Sequence, residues 1–85
     1  MQIYYSSKFE REYRRLPNRI KIIAEEKERL FGGDVFDPML DTHKLGGRLK
    51  GFWAFSIDQK YRIIFEFAKS DIIWFHSVGD HSIYL

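Results

Sequence analysis

Hydrophobic residues recur with two different periods, a helical one in the first third of the chain and an alternating one in the second half. Residues 2–5 are predicted to form a short strand. A helix is predicted from Ser7 to about residue 16, because an apolar stripe recurs there at helical spacing. The stripe consists of Phe9, Tyr13 and Leu16. Ser7 and Glu10 have the spacing of a capping box, in which two side chains satisfy free backbone amides at a helix start.

Pro17 marks the junction between this helix and a second one. Proline cannot continue a helix but fits the first turn of the next, so the second helix is predicted over residues 17–31. One side of it carries Ile20, Ile23 or Ala24, Lys27 and Leu30. Gly32 and Gly33 are expected to end it, because glycine adopts a positive φ freely. Residues 34–47 are then predicted to form a loop.

Three further strands are predicted over residues 48–57, 60–68 and 72–78. The first two alternate between apolar and polar positions, which is typical of strands with one buried face. Their inward positions are Leu49, Gly51, Trp53, Phe55 and Ile57, then Tyr61, Ile63, Phe65 and Phe67. The third is apolar on both faces, as expected for a central strand. The predicted fold is α+β with the order β-α-α-β-β-β: a mostly antiparallel four-stranded sheet with two N-terminal helices packed on one face.

The composition narrows the class of protein. The 85 residues are enough for one domain, over residues 1–85, and 45% hydrophobic residues are too many for a disordered chain. The absence of cysteine excludes disulfide scaffolds, thiolate zinc sites and cysteine nucleophiles. No apolar run approaches the ~18 residues of a membrane span, and the N-terminus does not resemble a signal peptide. We therefore expect a cytoplasmic protein.

Charge is segregated along the chain, although the formal net charge is only +2. Residues 8–21 carry six basic and two acidic side chains, and residues 43–62 carry five and one, so each segment has a net charge of +4. Residues 22–42 carry two basic and six acidic side chains, a net charge of −4. The two basic segments either form one surface for nucleic acid or are ordinary solvated faces of a small domain.

The sheet face away from the helices is the predicted place for chemistry. It carries Lys50 and Arg62 on neighbouring strands, and the preceding loop and the chain end supply His43, Lys44, Arg48 and His81. RNA is cleaved without metal when a base deprotonates the 2′-hydroxyl, an acid protonates the 5′-oxygen and a cation stabilises the phosphorane. Histidine serves as either base or acid near neutral pH, and arginine grips two phosphate oxygens.

Each of these residues also has an ordinary structural interpretation. His43 and His81 taken singly are typical surface histidines at element ends, and His76, in mid-strand, is interpreted as a packed or edge histidine. Trp53 and Trp74 are able to stack on bases, but Trp53 falls on the apolar face and is expected in the core. No spacing supports a metal site, and phosphate-loop, dinucleotide, zinc-protease and nucleophile-elbow motifs are absent.

Several segments together resemble the RelE/ParE superfamily of toxins from toxin–antitoxin modules. Residues 43–53 (HKLGGRLKGFW) and 61–65 (YRIIF) are similar to its central LxGxW and YR(I/V)(I/V)(F/Y) strands, and residues 78–84 (VGDHSIY) to its closing GxHxxVY element. Residues 3–9 (IYYSSKF) and the Leu16-Pro17 pair resemble its start. A histidine before the second strand and another in the closing element place the resemblance in the YafQ-like branch.

The resemblance implies a RelE-like fold and an endoribonuclease that cleaves messenger RNA, usually on the ribosome, without metal or small-molecule cofactor. It makes His43 and His81 the acid–base pair and Arg62 the phosphate-binding cation. It also implies contacts to RNA from a set of basic and aromatic side chains: Lys44, Arg48, Lys50, Lys60 and Tyr84. The implied partners are a cognate antitoxin protein, messenger RNA and the ribosome.

Two departures from the superfamily pattern keep alternatives open. Ser56 stands where several relatives have arginine, and Asp80 precedes His81, where it either caps the turn or acts on the charge of the histidine. One alternative is a ParE-like toxin, which binds and poisons DNA gyrase and generally lacks the paired histidines. Another is an inactive relative that only binds an antitoxin.

Overall fold

The structure has two helices and five strands, one strand more than predicted, and the other elements occur in the predicted order. The structure is a computed structural model that describes all 85 residues. Its helices and strands are β1 (Gln2–Tyr5), α1 (Ser7–Arg14), α2 (Asn18–Gly33), β2 (His43–Lys44), β3 (Trp53–Ser56), β4 (Arg62–Lys69) and β5 (Ile72–Gly79). Three short 3-10 helices cover Pro38–Leu40, Gly47–Leu49 and His81–Tyr84.

The five strands form one mixed sheet in the order β1-β5-β4-β3-β2. β1 runs parallel to β5, and the other three pairs are antiparallel. The prediction of four strands was therefore wrong by one: the extra strand is β2, whose two residues lie inside the predicted loop 34–47. A strand this short leaves no alternating pattern to recognise, so only pairing with β3 defines it.

The central position of β5 was predicted correctly. It lies between β1 and β4, so both of its edges are hydrogen-bonded and both of its faces carry large side chains. Opposite Ile64 and Phe65 of β4 its register shifts by one residue, because Ile64 pairs with Ser77 while Phe65 pairs with Phe75. His76 is the extra residue of this β-bulge.

The predicted strand over residues 48–57 was too long at its N-terminal end. Strand β3 begins only at Trp53, and Gly47–Leu49 forms a 3-10 helix instead. Gly47 and Gly51 have φ values of 60° and 98°, which only glycine adopts readily. The alternating pattern of residues 49 to 51 therefore belongs to a turn that resembles a strand in sequence alone.

The helix boundaries differ from the predicted ones at two places. Ser6, and not Ser7, caps α1: its Oγ accepts a hydrogen bond of 2.9 Å from the Phe9 amide, so the predicted capping box does not form. Helix α2 continues through Gly32 and Gly33 and ends at Asp34, whose amide donates to Leu30. The expected positive φ of the glycine pair is absent, because the extended Asp34 ends the helix instead.

Both helices pack on one face of the sheet, here called the helix-covered face, which is lined by Phe55, Ile63, Phe65, Ile73 and Phe75. Phe31 of α2 is fully buried there, stacked on Phe55 and edge-on to Phe65 and Phe75. The opposite face, here called the outer face, carries the alternate residues. Neither helix has the length and hydrophobicity that crossing a lipid bilayer requires.

The outer face is less exposed than the alternation of β3 and β4 predicts. Ala54 and Ile64 project onto it, yet both are buried. Ile64 lines a groove together with Phe52, Ile83 and Leu85, which come from the turn before β3 and from the segment that follows β5. The closing segment thus folds back over the outer face and brings its own side chains to it.

Candidate functional site

The strand register aligns two of the predicted site residues on the outer face. His43 pairs with Ala54, which pairs with Ile64, so these three form one row across β2, β3 and β4. Arg62 pairs with Ser56 in the row next to it. Because directly opposed residues of a sheet project to the same side, and because Ile64 and Arg62 are two apart on one strand, His43 and Arg62 share the outer face.

The closing 3-10 helix carries His81 and Tyr84 back toward this pair of rows. Asp80 caps that helix by accepting a hydrogen bond of 2.9 Å from the Ser82 amide. Hydrogen bonds from the Ser82 hydroxyl and amide lower the pKa of Asp80, so it is charged at neutral pH. Gly79 permits the close return, because a Cβ on it would lie only 2.7 Å from the Ile83 Cγ2 atom.

Tyr84 lies beside His81 in the closing 3-10 helix. Its ring centroid lies 6.1 Å from that of His81. Burial raises the pKa of the Tyr84 hydroxyl, the positive charge of Arg62 opposes this effect and the negative charge of Asp41 adds to it. The geometry on the outer face thus has two parts: His81 lies beside Tyr84 in the closing 3-10 helix, and His43 and Arg62 lie in adjacent rows of the sheet.

His43 is positioned by the backbone of Asp41. The Nδ1 atom of His43 lies 2.8 Å from the Asp41 carbonyl oxygen. A carbonyl only accepts hydrogen bonds, so Nδ1 carries the proton in this contact and Nε2 of the neutral ring is the free acceptor. His43 is exposed, and the arrangement leaves Nε2 able to receive a proton from a bound molecule.

Arg62 donates hydrogen bonds to backbone carbonyl groups through only one of its three side-chain nitrogens. Its Nη1 group donates to the carbonyl oxygens of Asp58 and, at 3.1 Å, of Tyr61. The Asp58 carboxylate is occupied elsewhere, by the amides of Lys60 and Tyr61. No carboxylate pairs with the guanidinium, so its Nε and Nη2 hydrogens remain available to an anion in the planar geometry that suits phosphate.

The predicted basic contacts divide between the two faces of the sheet. Lys44 lies on the helix-covered side, opposite to His43, because it pairs with Trp53 and its Nζ lies 5.5 Å from the centre of that ring. Lys44 therefore does not share the outer face with His43, and its contact to RNA stays a prediction. Lys60 lies 5.6 Å from the Tyr61 ring and its charge reaches Asp80, next to His81.

Arg48 and Lys50 are exposed in the turn between β2 and β3, next to the residues that line the outer-face groove. No three histidine, aspartate or glutamate side chains cluster in a way that suits a metal ion.

His76 is a packed strand histidine, as the sequence interpretation favoured. Its Nε2 lies 2.8 Å from Glu66 Oε1, and its ring contacts Phe52 edge-on at 5.0 Å. Trp53 lies on the helix-covered face against Phe36 and Phe67, as predicted.

Three residues that the sequence interpretation did not select belong to the site or its support. Asp41 positions His43. Glu12 accepts hydrogen bonds from the Ser77 hydroxyl and the Val78 amide, and Lys8 bonds both Glu12 and Ser77. β1 ends opposite Phe75, so this edge of β5 would otherwise have unpaired backbone groups. The sequence holds no signal for this link beyond the helical phase that places Lys8 and Glu12 on one side of α1.

The comparison with solved structures gives a consistent answer. YafQ from Escherichia coli matches with a TM-score of 0.81 at 16% identity, over 99% of this chain and 97% of that one. The YoeB/ParE toxin from Agrobacterium tumefaciens matches with a TM-score of 0.78 at 15% identity, over 95% and 99%. The chain has the RelE-like toxin fold. The fold that the sequence resemblance implied is thus confirmed, with five strands in place of four.

A third similar structure is the Escherichia coli DinJ–YafQ toxin–antitoxin complex, with a TM-score of 0.77 at 17% identity over 96% of this chain and 93% of that one. No protein-family model matches the sequence, and no curated protein matches it. The RelE-like fold is therefore retained here at a level of identity where sequence similarity is weak.

Proposed function

We propose that this protein is the toxin of a type II toxin–antitoxin module, a YafQ-like member of the RelE/ParE superfamily, and that it is a metal-independent endoribonuclease acting on messenger RNA at the ribosome. The observation that carries the proposal is that His43 and Arg62 share the outer face, over which the closing segment with His81 and Tyr84 folds back. The RelE-like fold supports it.

The proposed chemistry assigns one step to each side chain. His43 Nε2 removes the proton from the 2′-hydroxyl, and the 2′-oxygen attacks the phosphorus. Arg62 stabilises the phosphorane through its Nε and Nη2 hydrogens. His81 protonates the 5′-oxygen as the P–O5′ bond breaks, which leaves a 2′,3′-cyclic phosphate and a free 5′-hydroxyl. The proton that His43 gains balances the one that His81 gives up.

The proposed partner is an antitoxin that masks the basic segments 8–21 and 43–62. Similar structures include complexes of toxins with antitoxins, DinJ with YafQ and YefM with YoeB. An antitoxin for this chain is expected to bring acidic side chains to those segments and to fold on binding as an amphipathic helix or an added strand. Its bulk would bar the toxin from the ribosome.

Induced expression followed by primer extension on a known transcript tests the nuclease. We expect cuts in phase with codons, and products of purified protein with cyclic-phosphate ends. His43→Ala and His81→Ala should each lower the cleavage rate about 10²- to 10⁴-fold, and Gln59→Ala, an exposed change in the β3–β4 connection, should leave it unchanged.

Two results would overturn the proposal. Full toxicity of a folded His43→Ala, His81→Ala double variant would exclude histidine catalysis. Gyrase-trapped DNA breaks without RNA cuts would identify a gyrase poison. The partner is tested separately by co-expression with the neighbouring small open reading frame, where failure both to co-purify and to relieve growth arrest would exclude it.

A further inference from the structure

A row of four rings lies on the outer face beyond the site. Tyr4 contacts Trp74 at 5.2 Å between centroids, and Trp74 lies nearly parallel to His76, 6.4 Å away with 25° between the planes. Phe52 meets His76 edge-on. Trp74 and His76 alternate along β5 with the core residues Ile73 and Phe75, so the row is on the side opposite to the helices.

The row is open to solvent at positions where a packed core would not be. Tyr4 is 43% exposed, and about a third of the His76 side chain is exposed (33%). The His76 ring is held in place by its hydrogen bond to Glu66, which keeps it nearly parallel to Trp74. The planes of Tyr4, Trp74 and His76 differ by only 30° and 25° from one ring to the next, and Tyr4 and His76 are partly exposed.

A groove lies at one end of the row, where two of its rings, Phe52 and His76, line it. It encloses about 340 Å³, and Ile64, Ile83 and Lys8 also line it. Ile64 is two residues from Arg62 on the same face of β4, so the groove comes within roughly 7 Å of Arg62 along the strand at ~3.3 Å per residue. A flexible strand bound at Arg62 would reach the ring row through this groove.

We propose that the ring row and groove bind unpaired nucleobases of single-stranded RNA that extend from the scissile phosphate. This inference rests on the proposed nuclease function and adds a substrate-binding surface to it. Flat aromatic faces at stacking distance suit bases, which every sequence provides. Arg48 and Lys50 are exposed on either side of Leu49, which lines the groove, and supply positive charge for the RNA backbone.

A purely structural interpretation is that Tyr4 and Trp74, which pair across β1 and β5, only stabilise the sheet. A second rival is a protein segment, such as an antitoxin side chain, in the groove. Each makes a different prediction, because stabilisation of the sheet needs no ligand and a peptide has no stacked bases.

Trp74 itself provides the direct measurement. The chain has two tryptophans, so Trp53→Phe leaves Trp74 as the single fluorophore, and His81→Ala prevents cleavage during the titration. We expect a short single-stranded RNA to quench Trp74 emission, and the same sequence as a duplex, or as an abasic backbone, to quench it far less. Equal effects of normal and abasic RNA would overturn the proposal, because phosphate contacts alone would then explain binding.

Affinity measured by anisotropy of labelled RNA gives a second test. Trp74→Leu and Tyr4→Leu, in the His81→Ala chain, should each weaken binding roughly 5- to 150-fold. The matched control is Phe36→Leu, which removes an aromatic ring that is 57% exposed beside Trp53 on the opposite face and should leave affinity unchanged. Tyr4 is at the sheet edge, so its variant is informative even if Trp74→Leu does not fold.

Unchanged RNA affinity in a folded Tyr4→Leu variant would overturn the inference, as would weakened antitoxin binding with unchanged RNA binding. Failure of the nuclease proposal gives a different result: in the Trp53→Phe chain that keeps His81, RNA would still quench Trp74 but would not be cleaved.

Discussion

The imidazole Nδ1 of His43 lies 2.8 Å from the carbonyl oxygen of Asp41, only two residues earlier in the chain. This contact depends on the backbone conformation of Asp41, which has a φ of 51° and a ψ of 45°. A left-handed conformation turns the carbonyl back toward the side chain that follows. One unusual backbone angle therefore fixes the tautomer of the proposed base.

Asp41→Gly and Asp41→Val separate the role of this backbone angle from that of the side chain. Glycine adopts the left-handed conformation without strain, so the glycine variant should keep the contact with His43. Valine disfavours it, and a misplaced base is expected to lower single-turnover RNA cleavage up to about 10²-fold. Nitrogen NMR of the His43 ring should show the Nδ1–H tautomer in the glycine variant and its loss in the valine variant. Equal cleavage by both would contradict the positioning role.

The titration of Tyr84 reports how closely Arg62 and Asp41 approach it. Asp41 raises the pKa of Tyr84 and Arg62 lowers it, so Asp41→Asn should shift this pKa down and Arg62→Gln should shift it up. Carbon NMR of the tyrosine rings measures both. Tyr5, whose raised pKa is caused by burial and by Glu28, is the internal control and should not move. A shift of the same sign in both variants would place one of the two charges away from Tyr84.

Arg62→Lys tests whether the planar guanidinium matters. Lysine keeps the charge but cannot bond two backbone carbonyls and a phosphate in one plane. Loss of one preorganised donor typically costs about 10²- to 10³-fold in rate, and we expect a loss of this size for cleavage at saturating RNA. Arg19→Lys, on the exposed surface of α2, is the matched control. A wild-type cleavage rate in Arg62→Lys would show that only the positive charge at this position is needed, and not the planar guanidinium.

Glu12 makes part of the free energy of unfolding depend on pH. Burial opposes its charged form, but hydrogen bonds from Lys8, Ser77 and Val78 outweigh this and lower its pKa. A carboxyl with a folded pKa below its unfolded value stabilises the protein above the unfolded value, and this contribution is lost as pH falls through the folded pKa.

Glu12→Gln should therefore destabilise the protein at about pH 7 by roughly 1–3 kcal/mol, the range for hydrogen bonds to a charged group. The difference from wild type should shrink as the pH falls below the ordinary glutamate pKa of ~4.3. Urea unfolding at both pH values measures it, with the exposed Glu10→Gln as control. A difference that is independent of pH would show that the charge of Glu12 is not involved.

Gly79→Ala should displace the closing turn. Its new Cβ would lie 2.7 Å from the Ile83 Cγ2 atom, so Ile83 must move, and His81 and Tyr84 with it. Overpacking of this kind costs about 1–3 kcal/mol, and cleavage should fall. Ile83→Ala added to Gly79→Ala removes the clash and should restore most of the activity relative to Ile83→Ala alone. Absence of any rescue would mean that the effect of the alanine is on the backbone and not on Ile83.

The sequence predicts those parts of the fold that rest on long, regular patterns. β4 keeps a clear alternation over its eight residues, and β5, which is equally long, is apolar on both faces, as a central strand should be. Both helices follow from an apolar stripe and from Pro17. The errors fall where a few residues decide the structure: the cap at Ser6 is one position from the predicted one, and two glycines convert residues 47–51 into a turn.

The sequence indicates residue types for the candidate site, but it does not indicate their geometry. His43 and Lys44 are adjacent in sequence, but pairing with β3 places them on opposite faces. No pattern in the sequence reveals that a two-residue strand exists there, and so none assigns the faces. The left-handed Asp41 is equally hidden, because aspartate tolerates this conformation without requiring it.

The pairing of β1 with β5 gives the site a defined time of assembly during synthesis. β1 pairs only with residues 72–75, which are synthesised much later, and His81 and Tyr84 follow these residues in the chain. A nascent chain that has emerged only as far as β4 has neither a central strand nor half of its proposed acid–base pair. Because contacts so distant in sequence form late, the proposed site is assembled only after β5 and the turn that follows it have been synthesised.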